Sequence, residues 1–241
     1  MSLKTFVAII AIFLLTGLGT IEASTVTFGP GDQCVFPDAT DATTPGTCSS
    51  VISIPLSETR GIALTGDNVT VTINGLQHPW AGDVIATLTN LATGISGDLF
   101  NRIGRTRTDD FGSGAMFGPD LLFQDTYSFN SSFSGDIWAD AATQGTANAI
   151  DSGNYFTTTA FSGTKTNFSS MYNGQAAVGG WRLTLSDNFA DGDGGGSAIN
   201  WTLTLNLADV PEPSFAIPTG LLVLGLILIA WTRSPQRKRA S

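Results

Sequence analysis

Between residues 25 and 209, apolar residues recur at every second position. Val69, Val71 and Ile73 alternate with Thr70, Thr72 and Asn74; Trp181, Leu183 and Leu185 with Arg182, Thr184 and Ser186; Ile199, Trp201, Leu203 and Leu205 with Asn200, Thr202, Thr204 and Asn206. Successive strand side chains point to opposite faces, so this period marks strands with one buried and one wet face. Further strands are expected over Ser50 to Leu56, Val84 to Leu88, Leu121 to Phe129 and Tyr155 to Ala160, with Gly-, Asp- and Asn-rich turns between them. No segment in this interval shows a sustained 3.6-residue apolar stripe, and its 24 glycines are roughly twice the usual share. A helical bundle is excluded. Eight or so short strands joined by polar loops predict an all-β antiparallel sandwich.

The same interval holds 17 Asp and one Glu against Arg60, Arg102, Arg105, Arg107, Lys165 and Arg182, a net charge of −12. Such a surface repels phosphate backbones, so nucleic acid is not an expected partner. The two cysteines, Cys34 and Cys48, lie in a turn-rich stretch containing Pro37, Asp38, Asp41, Pro45 and Gly46. In an exported protein an isolated even pair is most simply one disulfide.

The ends bear on export. Residues 1–23 run from Lys4 through the apolar stretch Phe6 to Leu15 to the small-residue exit Ile21-Glu22-Ala23, the pattern of a secretory signal peptide read by the Sec translocon. Residues 24–49 are expected to form an N-terminal extension, and 50–208 the β domain. At the other end, Pro211-Glu212-Pro213 precedes Phe215 to Thr232, which carries no charge, and then a basic tail over 233–241 with Arg233, Arg237, Lys238 and Arg239. As a helix, that run covers about 27 Å, one hydrocarbon core, and the basic end places the domain before it outside the cell. The order Pro-Glu-Pro, apolar helix, Arg-rich end resembles the PEP-CTERM sorting signal of Gram-negative bacteria. The resemblance implies an exosortase, a membrane cysteine transpeptidase-like enzyme, that removes the helix and passes the protein to the surface or matrix. An ordinary permanent anchor is the alternative.

A second resemblance covers residues 50–208. Val69 to Phe100, with His78, Gly82 and Asp83 in a His-x-x-x-Gly-Asp turn between two strands, looks like the opening of the P domain, or Homo B domain, of subtilisin-like proprotein convertases. Gly180-Trp181 through Asp187-Asn188, an acidic Gly-rich loop, and Ile199-Asn200-Trp201 resemble its paired final strands. Phe123-Gln124-Asp125, Tyr155 and the stretch from Phe168 to Asn173-Gly174 fall in the same order between them. The resemblance implies a jelly-roll sandwich of the galactose-binding-like type. Only about 26 residues separate the signal peptide from the first P-like strand, too few for the subtilisin domain that carries convertase catalysis.

His78 is the only histidine, and no Gly-x-Ser-x-Gly or Gly-Thr-Ser-Met-Ala motif accompanies it, so a structural place in the turn near Trp80 is expected rather than a general base. Asp187, Asp191 and Asp193 fall within seven residues of a Gly-rich loop and are candidate ligands for a structural calcium; a solvated hairpin loop is the alternative. Asp83 is a weaker candidate. Trp181 and Trp201 are expected in the core. Trp80 and Trp138 are expected in loops, with Asp83, Asp136 and Asp140 near in sequence, and are the candidate ligand-binding aromatics. These readings predict a non-catalytic surface or extracellular-matrix module that binds or organises exopolysaccharide or protein. The alternative is an accessory subunit of a separately encoded subtilisin-like serine protease.

Overall fold

Strand β12 (Gly179–Asp187) shows how the alternation becomes register. It is hydrogen-bonded along both flanks, to β3 (Gly46–Ile54) and to β6 (Val84–Asn90), so Trp181 lies between Ile52 and Asn90, and Leu183 between Ser50 and Leu88. With β7 (Ser96–Asn101) this gives a four-stranded antiparallel sheet in the order β3-β12-β6-β7. The computed structural model describes residues 23–208, apart from 42, 65, 66, 108–110, 119–124, 147, 191 and 193. Residues 1–22 and 209–241, where the signal peptide and the sorting segment are expected, lie outside the described residues.

The second sheet is built around β14 (Asn200–Ala208). It pairs with β1 (Ser24–Gly31) on one side and with β5 (Val69–Asn74) on the other, where β4 (Gly61–Ile62) continues the contact at Leu207. Beyond β5 come β8 (Thr126–Phe129) and β9 (Gly153–Tyr155), the last added in parallel. The inner faces of both sheets enter one buried core containing Val69, Val71, Ile73, Leu88, Leu183, Leu185, Leu203 and Leu205. Each such side chain contributes roughly 1.5–3 kcal/mol by leaving water. Trp181 and Trp201 are at most 1% exposed, as expected, and Trp201 Nε1–H donates to Ser50 Oγ across the sheets at 2.9 Å.

Three expectations change. The boundary drawn at residue 50 falls inside β3, and residues 24–49 are no appendage: β1 is an edge strand of the second sheet, and the Cys34–Cys48 disulfide joins β2 (Cys34–Phe36) to β3. The expected strand over Leu121 to Phe129 is described only from Asp125, and β8 is its end. The one expected over Tyr155 to Ala160 breaks after Tyr155, with β10 (Thr158–Thr159) leaving to pair with β11 (Ser162–Lys165).

There is also a helix, α1 (Ile137–Gln144). Asp136 Oδ1 caps it by accepting from the amides of Trp138 and Ala139; only Ile137 and Ala141 of its eight residues are buried, and Gly145 ends it at φ 66°. Two buried positions are too few to register as a periodic stripe.

Across the Asn200 end of β14 runs a ribbon of short pairings. β13 (Gly196–Ala198) pairs with β2, Gln77 bridges to Ser197, His78 to Phe117, and Met116 to Ala149. This ribbon carries the features described next.

Candidate functional site

His78 stands in the chain that leads from β5 into β6, just before the 3-10 turn Ala81–Asp83. It is 3% exposed, and Phe36 of β2 stacks on its ring, 5.6 Å between centroids and 1° from parallel. The ring nitrogens are both engaged. Nε2 lies 3.0 Å from Asp187 Oδ2, and Nδ1 accepts from the Trp80 amide at 3.0 Å. Nδ1 also lies 2.8 Å from the Trp80 carbonyl, which it meets as a donor only if both ring nitrogens carry protons.

Asp187 ends β12 and is 1% exposed; besides His78 it accepts from the Phe189 amide at 3.0 Å. Beside it is a second buried pair: Arg102, 7% exposed, donates through Nη2 to Asp83 Oδ1 at 3.4 Å and through Nε to the Gly82 carbonyl at 2.8 Å. Burial, and then the neighbouring Arg105 charge, push the Arg102 guanidinium below its ordinary value, while Asp83 and Asp187 oppose that shift. Buried charges persist only where paired and hydrogen-bonded, so these four side chains fasten the end of β12, the connection between β5 and β6, and the chain just after β7.

The structure places Asp187 at the end of a strand, where it is engaged by His78 and the Phe189 amide. Asp191 and Asp193 lie outside the described residues; Gly192 between them donates its amide to Asp38 Oδ2 at 3.1 Å. Asp83 belongs to Arg102. Among the described residues no group of three or more His, Cys, Asp or Glu side chains is gathered to hold a metal ion.

The two candidate tryptophans pack against different glycines. Trp80 is half-buried, its ring so close to Gly114 that a Cβ there would meet Cη2 at 2.9 Å. Trp138 is in α1 and not in a loop; its ring covers Gly163 of β11, and its Nε1 is buried without a partner among the described residues. Asp136 is spent on the helix cap, and Asp140 accepts from the Tyr155 hydroxyl at 2.7 Å and the Asp151 amide at 3.0 Å.

Two openings flank the fastened end, and neither was located from sequence. One is a groove of about 620 Å³ along the ribbon, walled by Val35, Pro37, Gln77, Pro79, Met116 and Ser197; among the described residues no Asp, Glu, Lys or Arg lines it. Phe36 and Phe117 also line it but are 1% exposed, so they offer no open ring face. The other is a polar cleft of about 230 Å³ at Asp41, Ile85, Asn101, Arg102, Arg105 and Asn188. The exposure of Val35 follows from the pairing of β2 with β13 and leaves no local signal in the sequence.

No family model matches the chain, and no curated protein matches it. Among solved structures it is similar to a chain of the Aeromonas sobria serine protease–chaperone (ORF2) complex, at 15% identity and a TM-score of 0.38 over 83% of this chain. It is also similar to the serine protease of Aeromonas sobria alone, at 14% identity and a TM-score of 0.36 over 82%. The chain spans about 30% of the length of these proteins. Likeness of that order carries no assignment of fold family, activity or partner. Fold and site together define an all-β protein whose single histidine is hydrogen-bonded to a buried carboxylate beside a buried Arg–Asp pair.

Proposed function

We propose that this protein is an exported, non-catalytic binding module that holds a polypeptide partner in the groove along its ribbon. One observation supports this above others: the groove has no Asp, Glu, Lys or Arg among its described lining residues, and it lies at the Asn200 end of β14, whereas that strand ends at Ala208. A nine-residue strand separates the two by about 30 Å, which suits a domain tethered at one end and binding at the other. Val35, Pro37, Pro79 and Met116 beside backbone of Gly195 and Gly196 complement an extended chain better than a sugar, which calls for open aromatic faces.

The P-domain resemblance implies the partner class, a separately encoded subtilisin-like serine protease, and a jelly-roll sandwich of the galactose-binding-like type. The route we infer from the sequence is export by Sec, recognition of Pro211-Glu212-Pro213 by an exosortase, and release to the surface or matrix. The second reading, binding of exopolysaccharide, is favoured by the separate cleft at Arg102.

The test is capture of the purified secreted subtilisin-like protease of the producing organism by the full chain. Val35 is 63% exposed, so Val35→Asp leaves the fold intact and is expected to abolish capture. Capture unaffected by Val35→Asp and Met116→Glu would reject the groove. Hydrolysis by the chain itself, lost in a folded His78→Ala variant, would reject the non-catalytic reading.

A further inference from the structure

Arg102 is a buried cation, 7% exposed. Its Nε is used by Gly82 and its Nη2 by Asp83, and its guanidinium carbon sits 5.9 Å from the centre of the Phe189 ring. Among the described residues Nη1 has no hydrogen-bond partner, and Arg102 lines the 230 Å³ cleft. The backbone at Arg102 is held in the left-handed region, φ 47°, a conformation that a residue with a Cβ adopts only under constraint from its surroundings. Beside the cleft, Phe189 meets Phe111 edge-on at 5.0 Å, and Phe111 is 56% exposed. A buried guanidinium with an open edge therefore lines a small polar recess, and outside that lining Phe189 carries the contact on to the exposed Phe111 ring.

Each part selects a ligand property. A guanidinium edge matches the two oxygens of a carboxylate, and its fixed plane orients them. A phenyl ring receives a flat, C–H-rich face. A recess of about 230 Å³ takes a single ring and not a folded loop. We propose that this cleft binds the carboxylate of an acidic sugar residue, with Arg102 as the donor and Phe111 as the ring on which the sugar lies. The assignment deepens the exopolysaccharide reading and does not rest on the groove or its polypeptide partner. Asp83 and Asp187 hold Arg102 from behind, Arg105 adds a second positive charge at the recess, and Asp41 at its rim is exposed to water. At about 0.15 M salt the screening length is ~8 Å, which mutes the distant acidic surface while leaving a contact pair intact.

The experiment is calorimetric titration of the full chain in detergent at that ionic strength with three probes of equal length: a glucuronic acid oligomer, a neutral glucose oligomer and a glutamate oligomer. Saturable binding of the first alone is expected, weakened about tenfold or more by Arg102→Lys, which keeps the charge and loses the fork. Because Arg102 is buried, the exposed Phe111→Ala gives an independent arm with a loss of similar size expected. Equal binding of the neutral oligomer would overturn carboxylate recognition, and equal binding of the glutamate oligomer would make the ligand an acidic protein. Binding of none of the three, or an unchanged Phe111→Ala variant, would also overturn the proposal. Val35→Asp leaves this binding intact, so failure of the groove and failure of the cleft are read separately.

Discussion

Replacing His78 by Phe separates a structural histidine from a catalytic one. Phenylalanine preserves the stack on Phe36 but removes both nitrogens, so Asp187 Oδ2, in a side chain 1% exposed, loses its donor, and the Trp80 amide loses its acceptor. Leaving that buried carboxylate without its donor costs about 1–3 kcal/mol, more where it stays charged, and an amide left without its bond adds about 1 kcal/mol. Against a typical domain stability of about 5–15 kcal/mol, the expected loss of about 2–4 kcal/mol displaces the urea midpoint well beyond error. Unfolding is followed by tryptophan fluorescence, since Trp181 and Trp201 are buried. The cycle is completed with Asp187→Leu and the double variant, whose cost is expected to fall short of the sum by about 1–3 kcal/mol, because the second substitution removes the group that the first left unpaired. A loss below about 1 kcal/mol for His78→Phe, or strict additivity in the cycle, refutes the fastener.

Other expectations follow from the core and the turns. Burial first, then nearby carboxylates (Asp125 for Tyr127, Asp140 for Tyr155, Asp98 for Tyr172), pushes the chain's three phenols above the usual range. With the folded-state values raised, the stability they confer is complete below about pH 10 and is lost as pH rises beyond it. In an alkaline titration tyrosinate absorbance is expected to appear only together with unfolding; ionisation near pH 10 in the folded protein would count against these environments. Replacing Cys34 and Cys48 by Ser opens a loop of 14 positions and is expected to cost about 3 kcal/mol, read as a fall in thermal midpoint under non-reducing conditions. Gly46→Ala brings a Cβ to 1.8 Å from the Pro37 carbonyl oxygen, so the strand start must shift; a loss of about 1–3 kcal/mol is expected by denaturant titration, and an unchanged midpoint would reject that contact.

Much of the fold is visible where one face of a strand is apolar. β5, β6, β12 and β14 announce themselves because Val, Ile, Leu and Trp alternate with Thr, Asn and Arg over six to nine residues. β7 and β11 do not, since Ser-Gly-Asp and Ser-Gly-Thr-Lys show no such contrast and gain their place from a neighbour. The candidate site was less legible. A tryptophan beside aspartates in sequence has the composition of a sugar platform, yet Trp138 lies against Gly163 and both its neighbouring aspartates are spent on local bonds. The fastener joins positions 109 residues apart, and the shelf of Phe111 and Phe189 joins positions still less visible to any local pattern. Such pairings are set by strand register, which emerges only from the complete sheet.

The position of β14 also bears on when this domain can exist. Among the described residues it is the last strand, and yet it stands between β1 and β5, and the Thr25–Asn206 side-chain bond alone spans 181 positions. A polypeptide delivered amino end first holds β1 with an open edge until the final strand arrives, and contacts so distant in sequence make closure slow. The chain therefore stays threadable for as long as Asn200–Ala208 are withheld, and whatever meets it just past Ala208 meets a domain that has that moment become able to close.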